Sequence, residues 1–266
     1  NDKKTRIIIG IVLMGILATL LVYRDMRSTE GDEKDITTAT STKDILKDLG
    51  VSMTGDGSVK VESIEEKKLP KAPELNRSTD YKNTLTPEVK TVVLTQLNKA
   101  IGDIKKNNSD INAWVMLGVD RKTLGDYEGA RDAWEYAKLL APNEVVAYNN
   151  LGDLYHYYLK NTQKSEENWK KTIAIKPDYI QGYRGLVDLY KYSMTEKLSE
   201  TPIMLSSGIA QNKDSIDLRV MLARYYQDTG DIAKAKSAYQ DAIATAERLK
   251  NTTAVTSLTA ELAKLK

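Results

Sequence analysis

The sequence predicts an all-α fold, a solenoid of stacked helix pairs preceded by a single N-terminal hydrophobic helix and a linker. Three observations predict it. Large side chains return at a fixed 35-residue period: Trp134 as Trp169, Pro142 as Pro177, Tyr148 as Tyr183, Leu151 as Leu186 and Tyr155 as Tyr190. Within each period the apolar residues keep helical spacing. An uncharged apolar run also lies near the start of the chain. A unit of this length cannot bury its own apolar face and must stack on copies of itself.

Ile7 to Tyr23 (IIIGIVLMGILATLLVY) carries no charge. As a helix it spans about 25 Å, near the hydrocarbon thickness of a bilayer. Lys4, Arg6 and Arg24 flank it and reach the interfaces. No small-x-small cleavage site follows, so residues 1–27 read as an uncleaved transmembrane anchor. Lys3, Lys4 and Arg6 precede the span, against Arg24 and Arg27 after it. That bias places the N-terminus in the cytoplasm and the large C-terminal part on the extracytoplasmic side of a single-pass protein. The chain starts at Asn1, which leaves both processing and an incomplete sequence open.

Residues 28–85 read as a linker. The stretch 28–44 is polar and threonine-rich, without apolar periodicity, as a tether is. Val59 and Val61 alternate with Lys60 and Glu62 after Gly55-Asp56-Gly57, which marks a short β element within 51–64. It reads either as a strand that adds to a neighbour or as a weakly ordered linker patch. Leu69 to Ser78 holds two prolines and should be extended.

The helical body occupies 86–266. Thr86 suits an N-cap and Pro87 the first helical position. Val89, Val93, Leu97, Ala100, Ile101 and Ile104 follow on one face, giving a lead helix over 87–106. The first unit, 111–144, places Trp114, Leu117 and Gly118 on one helix and a turn at Gly125-Asp126-Tyr127. Ala130, Trp134 and Ala137 lie on the second helix, with Pro142 as its stop. Gly118 and Ala130 let the helices approach while the tryptophans fill the space between pairs. The second unit, 145–179, repeats Tyr148, Leu151, Gly152, Trp169 and Pro177, with one residue inserted in its turn near Asn161. The third, 180–215, keeps Tyr183, Leu186 and Tyr190 and then departs: its turn is longer and its second helix, about 201–212, lacks the large aromatic. The fourth, 216–249, recovers Leu222, Ala223, Tyr226, Gly230-Asp231, Ala235 and Tyr239. Val255, Leu258, Leu262 and Leu265 form one stripe on an end helix over 252–265, which solvates the last repeat.

The pattern W-x2-L-G…G-D-Y-x2-A-x3-W-x2-A-x4-P resembles the tetratricopeptide repeat. The resemblance is strong in units one, two and four and weak in three. It implies a right-handed superhelix whose first helices line a concave groove for a protein or peptide partner. Helical spacing then maps onto that face Lys122, Asn149, Asp153, His156, Tyr157, Arg184, Asp188, Lys191, Tyr192, Arg224 and Gln227. Asn149 suits a peptide backbone and Arg184 and Lys191 suit a carboxylate, with Tyr157 and Tyr192 as anchors for an apolar side chain. His156 reads as exposed or groove-lining.

Composition excludes several other functions. There is no cysteine and one histidine, so thiolate and multi-histidine metal sites are ruled out. No catalytic or cofactor constellation is apparent, and the protein reads as a non-enzyme without cofactor or metal. Net charge is +2 with both signs mixed along the chain, which gives no nucleic-acid stripe. The sequons at Asn76, Asn107 and Asn251 matter only in a glycosylating pathway. The expected function is a membrane-tethered protein–protein interaction scaffold, anchored through residues 7–23. The alternative is a self-assembling subunit of a filament or membrane complex, built on the hydrophobic helix as in type IV pilins. Against the pilin comparison, Asn1-Asp2-Lys3-Lys4 precedes the apolar run and Thr5 stands where pilins have glutamate.

Overall fold

The computed structural model describes residues 51–53, 59–61, 69–77 and 84–265. The expected anchor at 7–23 and tether at 28–44 lie outside them. The chain divides into two units, 1–67 and 68–266. In the first, strands β1 (Val51–Met53) and β2 (Val59–Val61) pair with each other antiparallel, Val51 opposite Val61 and Met53 opposite Val59.

The second unit is a stack of helices, as the repeat pattern predicts. They run α1 (Pro87–Lys106), α2 (Ile111–Leu124), α3 (Tyr127–Leu140), α4 (Val145–Tyr157), α5 (Thr162–Ile175), α6 (Ile180–Tyr192), a 3-10 helix (Thr195–Glu200), α7 (Thr201–Gln211), α8 (Ile216–Asp228), α9 (Ile232–Arg248) and α10 (Thr252–Lys264). Each helix packs on the next in sequence, and α2/α3, α4/α5 and α8/α9 form close hairpins. The third pair is looser: the 3-10 helix sits between α6 and α7 and touches both.

Local chemistry sets the ends of these helices. Side chains of Thr86, Asp110, Asp126, Asn161, Ser215, Asp231 and Asn251 accept N–H groups of the first turn of the helix each precedes. This satisfies donors that the helix itself cannot. The turns after α2 and α8 need a left-handed residue, and Gly125 (φ +88°) and Gly230 (φ +81°) supply it. After α4 the same turn uses Lys160 at φ +54°, a conformation that disfavours a residue bearing a Cβ.

A seam of aromatics against glycines holds the pairs together. Trp114, Leu117, Ala130, Trp134, Leu151, Trp169, Tyr183, Leu186, Ala223, Ala235 and Tyr239 are all buried. A Cβ on Gly118 would lie 2.2 Å from the Trp134 ring. Trp169 is gripped from two helices: a Cβ on Gly152 of α4 would come within 2.6 Å of it, and one on Gly185 of α6 within 2.2 Å. The packing expectations at Pro142, Tyr148 and Tyr226 need adjusting. Pro142 is exposed, because it stops α3 in the turn rather than filling the seam. Tyr148 and Tyr226 are half-buried, each with a lysine ammonium over its ring, Lys138 at 4.7 Å and Lys234 at 5.4 Å. In the third unit Leu205 of α7 is buried where the other units carry an aromatic, while Ile203 is 74% exposed.

Residues 69–77, which read as linker, are docked on the first helix pair. Ala72 and Leu75 pack against its core. The buried Arg121 guanidinium donates to the carbonyls of Glu74 and Leu75, both at 2.8 Å, and to that of Gly129 at 3.2 Å. Arg77 pairs with Asp126 at 3.3 Å and with Asp132 at 3.1 Å.

Candidate protein-binding cleft

An open feature of the helical unit lies between α6 and α8. It is a cleft of about 340 Å³ whose floor is Val187, Val220 and Met221. Arg184, Asp188, Lys191 and Arg224, all read from the sequence as groove residues, line it together with Asp217, Tyr225 and Asp228. Basic and acidic side chains are equal in number around the rim: Arg184, Lys191 and Arg224 against Asp188, Asp217 and Asp228. Lys191 donates to Asp228 at 2.6 Å, and that bond raises its pKa. Arg184 and Arg224 remain exposed at the mouth. Burial pushes the Asp188 carboxyl up, against the pull of His156, Arg184 and Lys191.

The remaining predicted residues fall elsewhere. Lys122 and Asp153 form an ion pair with each other, between α2 and α4. Asn149 is half-buried, and its Oδ1 has no hydrogen-bond partner among the described residues. Tyr157 and Tyr192 are exposed, Tyr192 at 67%. Gln227 accepts a hydrogen bond from the Tyr239 hydroxyl at 3.1 Å. His156 requires a correction: it is buried, not exposed. Its Nε2 lies 2.9 Å from Ser193 Oγ, and its ring meets the Trp169 ring edge-on at 5.6 Å. Burial lowers its pKa. Ser193, its hydrogen-bond partner, caps the end of α6, where the third unit departs from the repeat.

A second group of polar residues escaped the sequence reading. Glu166 of α5 accepts from the Tyr190 hydroxyl at 2.8 Å, from Lys170 at 2.7 Å and from Lys197 at 2.6 Å. Burial works to raise its carboxyl, but these bonds outweigh it and hold it at about 2. Glu166 thereby ties the 3-10 helix to the second unit. The acid of this set is visible in sequence, but Lys197 lies in the irregular segment, which has no periodicity to place it.

Comparison with known proteins matches one of these hairpins to a repeat family. Residues 216–248, the hairpin of α8 and α9, match the tetratricopeptide repeat model. The chain carries a tetratricopeptide repeat. No curated protein matches it in sequence. Several solved structures resemble this chain at low identity. MamA is 17% identical over 62% of this chain and 94% of MamA, with a TM-score of 0.48. YrrB, described as a TPR protein with an unusual peptide-binding site, is 13% identical over 63% of this chain and 92% of its own, at 0.43. PilF of Pseudomonas aeruginosa is 13% identical over 67% and 90%, at 0.45. Residues 216–248 are one hairpin of the helical stack. Its α8 supplies one wall of the cleft, so the matched repeat and the candidate site share a helix. Among the described residues no helix is long and apolar enough to cross a membrane; the expected span at 7–23 lies outside them.

Proposed function

We propose that this protein is a membrane-tethered scaffold that holds a partner protein in the cleft between α6 and α8. The observation that carries the reading is the composition of that cleft. An apolar floor of Val187, Val220 and Met221 lies between two exposed guanidiniums, Arg184 and Arg224. Such a floor takes an apolar side chain, and arginine at the mouth takes a carboxylate through paired N–H donors. The matching ligand is a peptide segment with an apolar residue beside an acidic one. The uncharged run at 7–23 supports the tether, with the N-terminus in the cytoplasm and the repeats on the extracytoplasmic side. No catalytic role is assigned.

The test uses the full chain in native membranes. Proteins retained by the wild type are compared with those retained by Arg184→Glu/Arg224→Glu and by Lys236→Glu, a charge reversal on α9. The partner should be lost from the double variant and kept by the α9 variant. Removing residues 1–27 should release the chain from the membrane fraction. A partner retained equally by all three forms excludes the cleft, and a truncated chain that stays with the membrane excludes the anchor.

A further inference from the structure

The first repeat carries a carboxylate where its neighbours carry leucine. Asp120 in α2 takes the place in the repeat occupied by Leu154 in α4 and Leu189 in α6, both fully buried. Asp120 is buried too, at 2% exposure, and its Oδ2 has no hydrogen-bond partner among the described residues. Burying an unpaired carboxylate is costly, and leucine would serve the packing as well. The side chain is therefore unexplained by the fold.

Asp120 lines a groove of about 350 Å³ between α1 and α2. Three more charged residues share that lining. Lys99 of α1 lies 2.7 Å from Asp103, which also meets Lys106 at 3.5 Å, and Asp110 accepts the Ala113 N–H as the cap of α2. Asp103 is thus engaged by Lys99 and Lys106, and neither ammonium is paired with Asp120. Gln96, Ala100, Asn112, Ala113 and Met116 supply the rest of the wall. The space is that of one long side chain with an apolar stem and a cationic head.

We propose that the groove between α1 and α2 receives a lysine or arginine side chain of a partner protein, its head on Asp120. The stem lies along Ala113 and Met116, and the head meets the Asp120 carboxylate at the floor. A cation there replaces the hydration that burial removes. The site is separate from the cleft between α6 and α8 and does not depend on it.

The unliganded groove fits this reading. Burial alone raises the Asp120 pKa to about 6. The test is carbon NMR of the full chain with labelled aspartate carboxyls, Asp120 being assigned by its loss in Asp120→Asn. Asp120 should titrate near 6 without ligand. Excess methylguanidinium chloride should lower that midpoint by about one unit, a tenfold change in proton affinity, while the same concentration of sodium chloride leaves it in place. Asp120→Leu should fold, since leucine already serves this register, and methylguanidinium should then leave the Met116 methyl resonance unshifted although it shifts that resonance in the wild type. A midpoint in the ordinary aspartate range without ligand overturns the proposal. So does a midpoint that methylguanidinium moves no further than salt does, or a Met116 shift that persists in Asp120→Leu.

Discussion

Replacing Trp169 by alanine should destabilise the protein by about 3–5 kcal/mol, the range for removing a large buried aromatic. Trp169 bridges two repeats, with Gly152 of α4 on one side and Gly185 of α6 on the other. Its loss leaves a cavity that neither glycine can fill, and relaxing into it would require two hairpins to shift together. Urea denaturation of the full chain gives the free energy. Gly185→Ala supplies the complement: a Cβ there falls 2.2 Å from a tryptophan ring atom that packing keeps from moving. The two changes share one contact and should not add. Gly185→Ala should be markedly less harmful in a Trp169→Leu background than in the wild type. A Trp169→Ala loss below about 1 kcal/mol, the size of a surface substitution, contradicts the seam as the source of cohesion.

The second large effect is expected at Arg121. Arg121→Met should cost about 3–5 kcal/mol, the range for breaking a buried charged arrangement, and should free the strap at 69–77. The guanidinium is the only described donor that reaches both the Glu74 and Leu75 carbonyls, and it lies 3.8 Å from the buried Asp126. Methionine keeps the stem but satisfies none of these groups. Arg77→Ala removes pairs whose arginine side chain is about one-third exposed, and should cost only about 0–1 kcal/mol. Hydrogen exchange distinguishes the two. Amides of 71–77 should lose protection in Arg121→Met and largely keep it in Arg77→Ala. Unchanged strap protection in Arg121→Met would show that apolar packing of Ala72 and Leu75 holds the segment by itself.

The fold was legible because its cohesion rests on side chains that sequence displays directly. Trp134 and Trp169 recur at one spacing, and the glycines they pack on, Gly118 and Gly152, recur with them. Departures from the repeat were harder to interpret. Arg121 stands where Tyr155 and Tyr190 stand in the next units, and Asp120 where Leu154 and Leu189 stand. Each breaks the register in a way sequence makes visible, but only the structure shows what each faces: a strap for Arg121, an acidic groove for Asp120. Helical spacing marked Lys122 and Asp153 as groove residues without revealing that they pair between the first helices of successive repeats. It marked His156 as accessible because its contacts with Ser193 and the edge of Trp169 lie on other helices and leave no trace in the spacing of α4. In the cleft, Arg184, Asp188, Lys191 and Arg224 were found by spacing. The floor residues Val187, Val220 and Met221 were not, since apolar positions on a first helix look like core until the neighbouring helix is placed.

The most direct test of the scaffold is site-specific photocrosslinking in native membranes. A photoreactive residue replaces Thr229, exposed on the lining of the cleft, in one chain and Lys236 on α9 in another. The account predicts a discrete crosslinked partner from position 229 and none from 236. Partner crosslinks of equal yield from both positions, or from 236 alone, would contradict it.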